Sequence, residues 1–110
     1  MKKISTLQGI TYPELFQFFS GYFNQDYDLM VEGFDRDKPI IPQLVIGFKE
    51  ENSPKCIKRV IDELESLISK NYVSNVLEDI LSELGSDLDN QRLGYTNQQF
   101  LIEVLRILKE

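Results

Sequence analysis

The chain has 110 residues, 42% of them hydrophobic, and carries 12 Lys and Arg against 18 Asp and Glu for a formal net charge of −6. That length suits one domain around one core, and the apolar share is that of a globular protein rather than a disordered one. The acidic balance argues against a nucleic-acid binder, which needs a basic face to displace counterions from phosphates.

Lys2 and Lys3 open the chain without a following apolar run, so no secretory leader is expected. No stretch approaches the ~20 apolar residues that span a bilayer, and the expected compartment is the cytoplasm. Thr11-Tyr12-Pro13-Glu14 has the form of a capping box, with Pro13 in the first turn, where a missing N–H does no harm. Tyr12, Leu15, Phe16, Phe19, Tyr22 and Phe23 then recur at helical spacing and predict a helix over 12–24.

Residues 25–42 are punctuated by Gly33, Pro39 and Pro42 and by the alternating charges of Asp35-Arg36-Asp37-Lys38. They read as a short helical turn near 29–32 followed by a loop. Leu44-Val45-Ile46-Gly47-Phe48 has strand-like branching, yet nothing else in the chain alternates to pair with it. Pro42 ahead of it and polar Lys49-Glu50-Glu51-Asn52 behind it favour a short helix.

Ser53-Pro54 is a cap followed by a first-turn proline, and Ile57, Val60, Ile61, Leu64, Leu67 and Ile68 form an apolar stripe. Asn71 breaks it; Val73, Val76, Leu77, Ile80, Leu81 and Leu84 make a second stripe, which Gly85 closes. A polar loop, 86–95, leads to a second capping box, Thr96-Asn97-Gln98-Gln99, and to a last helix marked by Phe100, Leu101, Val104, Leu105 and Leu108. Such faces seek one another, so the expected fold is all-α, a small single-domain bundle of about five helices.

Catalysis has little to stand on. The chain has no histidine, so the commonest general base and any triad of the usual type are missing. Its one cysteine, Cys56, excludes an internal disulfide and reads as a small, partly buried apolar residue. A calcium loop starting at Asp26 has Val31 where glycine is required, and one starting at Asp87 has Arg92. No metal or cofactor is expected. Tyr12, Tyr22 and Tyr27 read as core or rim residues before recognition residues.

Charge is unevenly spread. Between Ile4 and Asp35 there is no Lys or Arg, while Glu14, Asp26, Asp28, Glu32 and Asp35 are all acidic. Ser74 to Gln91 likewise holds only Glu78, Asp79, Glu83, Asp87 and Asp89. The two segments would form one negative patch if they pack side by side. At the corner after the first helix, Asp26 or Asp28 can cap the following turn and Gln25 can satisfy the last carbonyls of the helix.

The opening Tyr12-Pro13-Glu14-Leu15, the aromatic run Phe16 to Phe23 and the corner Gln25-Asp26-Tyr27-Asp28-Leu29 resemble the start of contact-dependent growth-inhibition immunity proteins. The Ser53-Pro54 entry, the helix to Ile68, the end at Leu84-Gly85 and the Thr96 opening look similar too. Members tend to carry tryptophan at the corner, where this chain has Tyr27.

The resemblance implies stoichiometric binding to the toxin domain of a cognate effector. Charge and the lack of a long apolar run leave no nucleic-acid or membrane partner expected, and a monomer is expected when free. If that toxin is a nuclease, its positive substrate cleft would be met by acidic residues. Glu32, Asp35 and Asp37, with Glu78, Asp79, Glu83, Asp87 and Asp89, are the partner-facing candidates, and Gln25, Asp26 and Asp28 would fix the corner that presents them. A helical adaptor binding through Phe16, Phe19 and Phe23 is the alternative, followed by a carboxylate hydrolase using Asp26 and Asp28.

Overall fold

A computed structural model describes residues 12–24, 26–31, 33–87 and 92–110. Among them every regular element is a helix: α1 (Pro13–Tyr22), α2 (Tyr27–Met30), α3 (Ile40–Glu51), α4 (Pro54–Ser69), α5 (Ser74–Glu83) and α6 (Asn97–Lys109). The fold is all-α, with five helices of ten residues or more and the single turn of α2. Thr11, Gln25, Glu32 and Asp89 lie outside the described residues.

α6 sits at the centre and packs against α3, α4 and α5, while α1 lies across α3 and α4. The α6 residues Phe100, Leu101, Val104, Ile107 and Leu108 are all buried, as its central position requires. From α1, Phe19 and Phe23 reach the ring of Phe100 at centroid distances of 5.9 and 5.6 Å. Phe18 meets Phe48 of α3 edge to face at 4.6 Å. Aromatic side chains of this kind each contribute about 1.5–3 kcal/mol on burial, and the edge-to-face contacts add to that.

The face of α1 differs from the sequence expectation in one respect. Leu15, Phe18, Phe19 and Phe23 form the buried stripe, whereas Phe16 is 42% exposed. The spacing i, i+3, i+4, i+8 selects that face, and Phe16, a single residue past Leu15, is rotated off it.

The region of ambiguous propensity, 43–48, is helical within α3, as favoured from the sequence. Pro42 falls in its first turn, where the missing N–H costs nothing. Gly47 is needed for packing: a Cβ there would stand 2.7 Å from a methyl of Val31, so the chain after α2 lies directly on α3.

The later helix boundaries follow their sequence signals. Ser53 Oγ accepts from Cys56 N–H at 3.2 Å to start α4. Asn71, with φ +54°, ends it in the left-handed region that asparagine tolerates. The Thr96 box is complete: its hydroxyl accepts from Gln99 N–H at 3.1 Å and Gln99 Oε1 accepts from Thr96 N–H at 3.0 Å. Asn97, the buried polar residue beside it, donates to Ser74 O at 3.1 Å and so ties the starts of α5 and α6.

The capping box expected at residues 11–14 is corrected. The N-cap position is Tyr12, which makes no side-chain cap, and Pro13 has no N–H to satisfy. The amides of Glu14 and Leu15 both donate to Glu63 Oε1 of α4, each at 3.0 Å. Lys49 Nζ donates to Ile107 O at 3.0 Å and Glu110 O at 2.9 Å, closing the C-terminal end of α6. Two helix ends are thus finished by charged side chains from other helices, of the sign that each helix dipole favours.

Candidate functional site: an acidic surface at the end of α5 and the α1–α2 corner

The two acid-only segments meet. α5 ends in a Schellman turn: Gly85 N–H donates to Ser82 O and Ser86 N–H to Leu81 O, both at 3.0 Å, with Gly85 at φ +93°. Past the turn, Asp87 N–H donates to Phe23 O, the C-cap residue of α1, at 2.7 Å. A Cβ on Gly85 would stand 2.6 Å from Ser20 Cβ, so the α5 end lies hard against α1. Asp87 is therefore anchored beside the stretch that leads to Asp26, and both residues are exposed.

The corner itself is held by a residue that sequence reasoning passed over. Asn24 Nδ2 donates to Ser20 O at 2.9 Å, and Asn24 Oδ1 accepts from Asp26 N–H at 2.8 Å. Asn24 thus fills the role expected of Gln25. Asp26 occupies the N-cap position of α2, but its side chain makes no cap. The Asp28 carboxylate pairs with Arg36, which folds the following loop back onto α2.

That loop is built around Gln43 of α3, a second unforeseen residue. Its Oε1 accepts from Asp35 N–H at 2.7 Å while Nε2 donates to Asp35 O at 2.8 Å and Pro39 O at 2.9 Å. Asp35 Oδ1 accepts from Asp37 N–H at 2.9 Å, so this carboxylate serves its own turn and the residue is half-buried. The signal in the sequence was an Asx turn, Asp35-Arg36-Asp37, preceding a helix; nothing in the sequence pointed to Gln43 as its partner.

Of the partner-facing candidates, Asp37, Glu78, Asp79 and Asp87 are exposed, and Glu83 is half-buried. Among the described residues no ion pair neutralises Glu78, Asp79 or Asp87. The ion pairs formed instead join Lys58 to Asp62, Arg106 to Glu103 and Glu110, and Lys109 to Glu65, on α4 and α6. A further pair, Arg36 with Asp28, lies at the corner itself, while Glu78, Asp79 and Asp87 stay uncompensated among the described residues.

The geometry bears on the two alternatives. Phe19 and Phe23 are fully buried and unavailable to an adaptor, while Phe16 of the same expected face stays 42% exposed. Asp28, the second carboxylate of the hydrolase alternative, is paired with the exposed Arg36. Among the described residues no three of Cys, Asp and Glu converge as a metal site.

A family model described as CdiI immunity protein matches residues 11–108, nearly the whole chain. The chain belongs to the CdiI immunity protein family. Members of this family neutralise the toxin of a contact-dependent growth-inhibition system, and family membership implies a cognate toxin as protein partner. No curated protein and no solved structure matches the chain. Among the described residues no helix is long and apolar enough to cross a membrane.

Proposed function

We propose that this protein neutralises its toxin by stoichiometric binding inside the producing cell, and that it does so through the acidic surface around Asp87. The observation that carries this reading is the hydrogen bond from Asp87 to Phe23, which joins two segments lacking any lysine or arginine. Asp37, Glu78, Asp79 and Asp87 are the principal contacts; Glu83 supports them, and Glu32 and Asp89 extend the same segments. Asp35 acts indirectly, by holding the turn that presents Asp37. Asp26 and Asp28, with Gln25, belong to the corner that positions this surface.

The toxin is a nuclease in this reading. A nuclease cleft is positive because it holds phosphates, and an acidic inhibitor of a positive cleft gains fast, steered association. The free protein is a monomer that acts by occupancy rather than by catalysis.

The test is co-expression with the C-terminal domain of the large secreted protein encoded beside this gene, scoring co-purification and growth together. Rescue and a stable complex are expected with the wild-type chain. Replacing Glu78, Asp79 and Asp87 together by lysine should abolish rescue while leaving the melting temperature within a few degrees. Full rescue by that variant would remove the acidic surface from the mechanism.

A further inference from the structure

On a different side of α1 the molecule carries a cleft of about 130 Å³, lined by Glu14, Gln17 and Tyr22 of α1, by Asn52, and by Cys56 of α4. Phe18, Phe48 and Val60 line the same cleft. The volume is well below the ~300–1,000 Å³ of pockets that hold cofactors or small-molecule substrates. It is nevertheless many times the ~10–15 Å³ that one water needs. This is the scale of one inserted side chain.

The hydrogen bonds around the cleft decide which kind. The Tyr22 hydroxyl donates to the Glu51 carboxylate, and burial together with that bond pushes its pKa up to about 12, so the phenol keeps its proton. Asn52 Nδ2 donates to Phe48 O at 2.9 Å, and Asn52 Oδ1 accepts from the Cys56 thiol at 3.7 Å. The Cys56 N–H is taken by Ser53 Oγ. The Tyr22 hydroxyl, an Asn52 N–H and the Cys56 thiol are thus engaged within the protein; the Glu14 carboxylate lines the cleft, the Glu51 carboxylate stands behind the phenol, and Gln17 adds a neutral amide. No lysine or arginine lines the cleft; Lys55 and Arg59 of α4 are exposed next to Cys56 and Val60 but lie outside it.

An occupant that only donates, carries positive charge and has an apolar stem complements these walls. Lysine and arginine have that chemistry, and the rings of Tyr22 and Phe48, 5.4 Å apart, offer the stem an apolar seat and the charge a π-face. We infer that the cleft between α1, α3 and α4 receives one lysine or arginine side chain of the toxin, as an anchor separate from the acidic surface at the α5 end. The inference rests on the toxin-binding reading above.

Cys56, the single cysteine, gives a direct readout because it lines the cleft. With a catalytically inactive toxin domain bound, alkylation of Cys56 by N-ethylmaleimide, followed by mass spectrometry, should slow at least tenfold. Alkylating the free protein first should weaken toxin binding at least tenfold, whereas Cys56→Ala given the same treatment should bind as before. Glu14→Gln with Glu51→Gln should weaken binding at least tenfold at an unchanged melting temperature. Tight wild-type binding with undiminished alkylation would overturn the cleft assignment and leave the toxin-binding reading intact. Protection of Cys56 without an effect of the glutamine pair would mean an uncharged occupant and overturn the cationic one. No binding by the wild-type chain would remove both readings.

Discussion

The carboxylate of Glu63 accepts the backbone N–H of Leu15 at 3.0 Å across 48 residues of sequence, and takes that of Glu14 at the same distance. With Pro13 contributing no N–H, this one side chain completes the start of α1 and locks α1 to α4. Glu63→Ala leaves both amides without their acceptor and should cost about 1–2 kcal/mol in urea unfolding.

Glu63→Gln behaves differently. Burial raises the Glu63 pKa above the usual carboxylate value, and the two amide bonds offset this only in part. The folded state then holds the proton more tightly than the unfolded one. Stability from this group is full below the unfolded pKa and is lost as pH rises through the raised folded pKa. Glutamine keeps an acceptor oxygen without the charge, so it should match wild type near pH 4 and equal or exceed it near pH 7. A glutamine variant less stable than wild type at pH 7 would show that charge at the helix start outweighs burial.

Gly85 combines a φ of +93° with a close approach to Ser20. Gly85→Ala adds a left-handed penalty and drives a methyl into the backbone of α1, and should cost at least about 2 kcal/mol. Because Asp87 is placed by this turn, toxin binding should fall as well. Thermal unfolding beside a binding titration checks both.

At the corner, the sequence alone offers Asp26 or Asp28 as the cap, whereas the structure gives two hydrogen bonds to Asn24 and no side-chain cap to Asp26. Asn24→Ala should lower stability by about 1–2 kcal/mol. Asp26→Ala should stay within about 0.5 kcal/mol. The reverse order in paired melting curves would restore the cap.

Gln43 closes the Asp35–Pro39 loop on α3 through one accepted and two short donated bonds. Gln43→Ala should destabilise by about 1–3 kcal/mol, and hydrogen exchange at the Asp35 amide should speed up before exchange in α6 does. Uniform acceleration through the molecule would mean that the loop is not a separate unit.

What was legible in the sequence was local. Ser53, Asn71, Gly85 and Thr96 mark helix ends by their own chemistry with near neighbours, and each ends or starts a helix where expected. The apolar stripes reported the all-α fold for the same reason. Glu63, Gln43 and Lys49 act on backbone 48, 8 and 58 residues away, and no periodicity connects such positions. The acidic surface was half-legible: the absence of lysine and arginine from two segments is a sequence fact, but it takes the Asp87–Phe23 bond and the Gly85–Ser20 contact to bring them together. Phe16 shows the limit of reading a stripe, since in an aromatic run every residue satisfies some face.

The central claim is tested most directly by titrating an inactive toxin domain into the protein by calorimetry, at low and at physiological ionic strength. The account predicts saturation at one toxin per chain, with affinity that falls clearly as salt rises. A complex of unchanged affinity at both ionic strengths, or no complex at all, would contradict it.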